Sequence, residues 1–265
     1  MPMYDRREAT ACVPIDRWEG GVGWLAYPDE EGQRASHAFR EDGELWLFDP
    51  IDAPGVEELL AALATGEDRR NLDDSDDRTN LDEGDDATSA VDTDELAAQV
   101  ASVVVCSDYH ARNAETFAER YDVAVHVPSA LDRSAERIDV PVQRFDDGIA
   151  GFDVRILKPL YAWHEAIAYR ERDRTLYVPD SLSSTPKFTV GDERIGLPTP
   201  SRLRPPSDRF AGMTPDRVLF GHGEGIFDGA DAALRDTLGN ARRRLPRALL
   251  TNVPAELRAG LGAFR

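Results

Sequence analysis

Lysine is almost absent from this chain. Of 31 basic residues only Lys158 and Lys187 are lysines and the rest are arginine, while the acids number 50 and the net charge is −19. A surface so rich in carboxylates suits molar salt, where the Debye length is about 3 Å and self-repulsion is screened. An acidic tail on an ordinary protein would explain one segment, but not acids spread through every predicted helix. No basic stripe interleaved with aromatics runs along the chain, so nucleic acid is not an expected partner. Cysteine is scarce too. Cys12 and Cys106 stand far apart with no CxxC, which predicts two thiols in a reducing cytosol rather than a disulfide or a zinc knuckle. No stretch approaches the roughly 18 apolar residues of a membrane span, and the start MPMYDRREATACVPIDRW lacks the apolar core of a signal peptide. A cytoplasmic protein without a membrane segment is expected.

What is present organises into strands and helices. The first half-dozen residues read as frayed. Trp18–Tyr27 and Glu44–Phe48 read as strands of an early meander, the second closed by Phe48-Asp49-Pro50. Val56–Ala64 follows as a short amphipathic helix. Between Glu67 and Glu95 the composition turns to acids, with no aromatic residue and little periodicity. Such a segment cannot bury enough apolar surface to offset its ordering entropy, which predicts a disordered or loosely held insertion at 67–95 in a single domain spanning 1–265. The VVV of Ser102–Cys106 suits a buried central strand. Ala114, Phe117, Ala118 and Tyr121 fall at helical spacing in Ala111–Tyr121, and Asp122–Pro128 is a further strand. Strand, helix and strand at this spacing form a βαβ unit with parallel pairing. Phe152–Leu157, Ile167–Glu171 and Thr175–Val178 read as a meander, Ser181–Phe210 as mostly loop, Arg217–Phe220 as a last buried strand and Ala230–Arg244 as a helix.

Four places put polar side chains just after predicted strands, where α/β folds build their sites. They are Ser107–Asn113 after VVV, Trp163-His164-Glu165 on a turn, Asp180 ending TLYVP, and His222 between two glycines. Taken singly each has a plain reading: a strand-end Asp caps helices or forms turns, and a His between glycines is commonly a loop residue. Glu165 reads as one half of a surface pair with His164. His126, on a strand whose valines alternate with it, and His37, in a polar loop, are assigned to structure.

In their order the four places resemble the metallo-β-lactamase fold superfamily over about residues 15 to 245. That family has an early strand ending in Asp, a strand running into T-H-x-H-x-D-H, a turn His, a strand ending in Asp, and a last strand ending in G-H-G. Here the signature reads Ser107-Asp108-Tyr109-His110-Ala111-Arg112-Asn113. Only the second His is kept, as His110. Asp108 replaces the first and can still bind a metal, Arg112 replaces the acid and cannot, and Asn113 replaces the last His. The bridging Asp falls on Asp180 and the final His on His222. His164 lies two positions from the place of the turn His, where Ala162 is in register, so it is a ligand only if the turn is two residues shorter.

The resemblance implies an α/β fold, a four-layer αββα sandwich, with Asp108, His110, His164, Asp180 and His222 as metal ligands and Asp180 and Arg112 as catalytic candidates. Six or so ligands serve a pair of zinc ions in this fold, whereas here a second ion would face a permanent cation. At roughly 4 Å and an effective dielectric near 20 that repulsion is several kcal/mol. Arg112 is instead expected to pair with Asp180. The cofactor expectation is therefore none, or a single zinc ion. A small-molecule ligand is the expected partner. The departures imply a binding or scaffold role without zinc hydrolase activity. The alternative is a mononuclear hydrolase of a small ester, thioester or phosphoester.

Overall fold

The computed structural model describes residues 8–66, 93–159 and 163–252. Two sheets form the body. In the first, β1 (Val13–Trp18), β2 (Gly21–Leu25), β3 (Ala35–Glu41) and β4 (Glu44–Phe48) run antiparallel, then β5 (Val100–Val104), β6 (Val125–Pro128) and β7 (Val142–Phe145) add in parallel. The expected single strand Trp18–Tyr27 is therefore a hairpin, because Glu19-Gly20 turns the chain between β1 and β2. In the second sheet, β8 (Gly148–Ile149), β9 (Phe152–Leu157), β10 (Glu165–Arg170) and β11 (Thr175–Val178) are antiparallel, and β12 (Arg217–Phe220) pairs parallel to β11.

The side-chain period of two sorts residues into three cores. Leu45 and Leu47 of β4, with Val103 and Val105 around β5, face outward against α1 (Val56–Thr65), α2 (Thr93–Ala97) and α3 (Ala114–Tyr121). Their alternates Phe48, Val104 and Cys106 face the second sheet and meet Ala166, Ala168, Tyr177 and Leu219 there. On that sheet's far side Ile167, Tyr169, Leu176, Val178, Val218 and Phe220 pack under α5 (Ala230–Thr251). Three cores between four layers make an αββα sandwich. The fourth helix, α4 (Asp132–Ala135), is a single turn after β6.

Residues 67–92 of the predicted acidic insertion lie outside the described residues, as do the first six residues and Ala162. The last part of that stretch is ordered, since 93–95 open α2, whose Leu96 is buried in the outer core. His37 is not in a loop. It lies on β3, fully buried, with Nε2 3.1 Å from Asp16 Oδ2. The long connection before β12 is pinned by a fully buried pair, Arg202 to Glu193, with two contacts of 2.7 Å. Among the described residues no helix is long and apolar enough to cross a membrane.

Candidate metal centre

The centre forms where the two sheets are stitched together at their strand ends. Ala166 N–H donates to Cys106 C=O, and Asp108 N–H to His164 C=O, joining the end of β5 to the start of β10. Ala35 N–H donates to Gly221 C=O, joining the start of β3 to the end of β12. The parallel register Val178↔Phe220 then brings Asp180 and His222, each two residues further on, side by side. His110 arrives from the loop after β5. Donor atoms of His110, Asp180 and His222 lie within 4.8 Å of one another.

Asp180 Oδ1 is 3.2 Å from His110 Nε2 and 3.2 Å from His222 Nε2. Its other oxygen accepts from the Ser107 hydroxyl at 2.5 Å. The outer nitrogens of both rings are already committed. His222 Nδ1 lies 2.7 Å from Gly32 C=O, and a carbonyl only accepts, so Nδ1 carries the proton. His110 Nδ1 donates in the same way to Asp49 Oδ2 at 2.9 Å. In the neutral rings both Nε2 lone pairs therefore point at a carboxylate. Only a cation or an additional proton relieves that arrangement. Burial raises Asp180, but the His110 charge and the hydrogen bonds from both rings hold it well below the usual carboxylate range. Burial and Arg112 lower His110, yet Asp180 and Asp49 outweigh them and its value is raised, whereas burial leaves His222 lowered.

Arg112 does not pair with Asp180, contrary to expectation. Nη1 donates to Ala35 C=O at 2.6 Å and Asp49 C=O at 2.9 Å, while Nη2 donates to Gly221 C=O at 3.1 Å and sits 3.1 Å from His110 Nε2. Three main-chain carbonyls from three strand ends thus hold the guanidinium beside His110. The backbone adopts φ 42° at Arg112 and φ 48° at Asp49, left-handed values unusual for an arginine and tolerated by an aspartate.

Asp108 and His164 stand apart from this group as a pair of their own. Asp108 Oδ2 accepts from His164 N–H at 2.8 Å and lies 3.3 Å from His164 Nδ1. Asn113 caps a different segment, its side-chain oxygen accepting from Asp52 N–H.

Two acids carry more of the centre than their sequence context announced. Asp49 is fully buried and takes Cys106 N–H at 2.7 Å, Tyr177 O–H at 2.6 Å and His110. Its signal was a lone acid closing a buried strand before proline. Glu165, read as half of a surface pair, is fully buried; its Oε2 accepts from Asp180 N–H and Ser181 N–H. Burial pushes its carboxyl up to about 8. The signal was its phase with Ile167 and Tyr169, visible once β10 is begun at 165.

Beside Asp180 a cavity of about 280 Å³ opens between Tyr109, Trp163, Lys187 and Phe188. As for metal, the three donors match the protein ligand count of a catalytic zinc site, which keeps one position for water. The described residues supply no comparable set for a second ion.

No family model and no curated protein sequence matches the chain. Solved structures do match it in shape. A metallo-β-lactamase from Pontibacter korlensis aligns over 87% of this chain and 100% of its own, at 14% identity and TM-score 0.52. One from Hirschia baltica aligns over 88% and 96%, at 9% identity and TM-score 0.52. A diflavin flavoprotein fragment from Nostoc sp. aligns over 89% and 99%, at 10% identity and TM-score 0.54. The chain has the metallo-β-lactamase fold.

Proposed function

We propose that this is a binding protein on the metallo-β-lactamase fold, in which the Arg112 guanidinium takes the place of a metal ion and zinc hydrolysis has been given up. The observation that carries this reading is the 3.1 Å contact of Arg112 Nη2 with His110 Nε2. A guanidinium only donates, so when His110 is neutral it competes with a metal for the Nε2 lone pair that also faces Asp180. It cannot swing aside cheaply, because three buried carbonyls would lose a charged donor. The ligand in this reading is a small molecule entering the cavity beside Asp180. The setting is a salt-rich cytoplasm, in keeping with the net charge of −19.

One observation favours a second reading, a mononuclear metal-dependent hydrolase of a small ester, thioester or phosphoester. His222 Nε2 and Asp180 Oδ1 present two acceptors to one point, as ligands of one ion do. In that case the ion would be held by His110, Asp180 and His222 and would supply an activated water. The test is hydrolysis of an ester, a thioester and a phosphodiester by protein purified in high salt without chelator, with and without added zinc. The binding reading expects no zinc-dependent turnover. Zinc-stimulated hydrolysis that is lost in His222→Ala would establish the alternative.

A further inference from the structure

The second sheet carries a larger cleft, of about 720 Å³, whose lining includes Leu157 at the end of β9 and Ser181 after Asp180. Its lining runs against the composition of the chain. In a protein with net charge −19, Lys158, Arg204 and Arg209 converge on this one cleft against a single lining acid, Asp208. Lys158 is one of only two lysines in the sequence. Among the described residues neither it nor the Arg204 side chain makes an ion pair, and Asp208 reaches only Arg209, at 3.5 Å between exposed groups. Ile156, Leu157 and Pro206 supply an apolar part of the wall. The loop bearing the arginines is tied down, since Arg155 Nη1 donates to Arg209 C=O at 2.8 Å and Ala211 C=O at 2.9 Å.

An independent observation lies within the cleft lining. Ser181 is 2% exposed, and its hydroxyl has no hydrogen-bond partner although the residue lines the cleft. A buried hydroxyl left unmatched costs free energy that a bound acceptor recovers. Three cations, an unmatched donor and an apolar wall together define a complementary ligand.

We propose that this cleft binds a small organic phosphate, its phosphate met by Lys158, Arg204, Arg209 and the Ser181 hydroxyl and its apolar body lying on Leu157 and Pro206. A dianionic phosphate with several acceptor oxygens suits two arginine forks, which a single carboxylate does not saturate. The site is distinct from the Arg112 centre and does not depend on whether a metal binds there.

The test is calorimetric titration of the full chain in molar KCl with phenyl phosphate, benzoate, benzyl alcohol and inorganic phosphate. Phenyl phosphate should bind one per chain, tighter than benzoate and inorganic phosphate, with no heat from benzyl alcohol. Reversing two exposed charges, Lys158→Glu with Arg204→Glu, should weaken phenyl phosphate about tenfold or more, and Ser181→Ala should weaken it several-fold. Circular dichroism confirms that each variant is folded. Unchanged affinity in the folded double variant, or equal binding of benzyl alcohol, would overturn the proposal. Either result leaves the Arg112 reading untouched, because none of the three cations contacts His110, Asp180 or His222.

Discussion

Arg112 is held by what it donates to, and that fixes what its removal does. Arg112→Ala strips a charged donor from Ala35, Asp49 and Gly221 carbonyls, so the loss should be on the order of 3 kcal/mol by urea unfolding. Asp49 is placed still deeper. Asp49→Ala would orphan Cys106 N–H, Tyr177 O–H and His110 Nδ1–H at once, and a destabilisation of about 3–5 kcal/mol is expected. A drop under 1 kcal/mol in urea unfolding would mean that water satisfies these groups instead. Glu165 makes the third case, through pH. Its folded value is raised from 4.5 to about 8, so the unfolded chain loses this proton first and stability falls as pH rises through that window. His110, also raised, acts in the same direction, while His222, lowered, acts against it. Glu165→Gln removes one titration from the sum. Unfolding free energies measured across the window should show a shallower fall with pH than in the parent, and identical slopes would contradict the assignment.

The parallel pairing of β11 with β12 is what turns two distant sequence positions into one site. The two strands were legible in advance, each ending in a polar residue, and the order of those ends carried the resemblance to the fold; their parallel pairing was not, since Thr175–Val178 read as part of a meander. The partner of Arg112 was not legible. Sequence gives charge and rough position, and a carboxylate is the obvious partner for a cation. The main-chain carbonyls that take the guanidinium belong to strand ends whose meeting depends on how two sheets close. The Gly-His-Gly motif does have a local cause. A Cβ on Gly221 would lie 2.4 Å from Pro179 C=O and 2.8 Å from His110 Cε1, and Gly223 holds φ +86°. Gly221→Ala should therefore lower stability by about 1–3 kcal/mol through crowding at the β11–β12 junction. Gly239 offers the opposite case in the same protein. It sits inside α5 with nothing within 4 Å of an added Cβ, so Gly239→Ala should raise stability by roughly 0.5–1 kcal/mol. Thermal unfolding of the two variants side by side reads both signs.

The four layers hold their charge unevenly. The fully buried pair Arg202–Glu193 is shielded from solvent ions, whereas the surplus carboxylates are answerable to salt. Lowering KCl from molar to about 0.1 M lengthens screening from about 3 to about 10 Å. Circular dichroism across that range should show loss of structure at the dilute end, and an unchanged spectrum and melting temperature would remove the salt-adapted reading. The four-layer architecture was implied by the resemblance that the order of the strand ends carries, not by periodicity, and the expected change at the site by one arginine in place of the family's acid. Whether that arginine stands in for a metal is decided most directly by zinc content. Parent and Arg112→Asp protein, purified in high salt without chelator and dialysed against zinc, are compared by elemental analysis. The variant removes a cation and adds a ligand, so it should retain at least one zinc per chain where the parent retains clearly less. A parent that already holds one tightly bound zinc ion per chain would contradict the substitution outright.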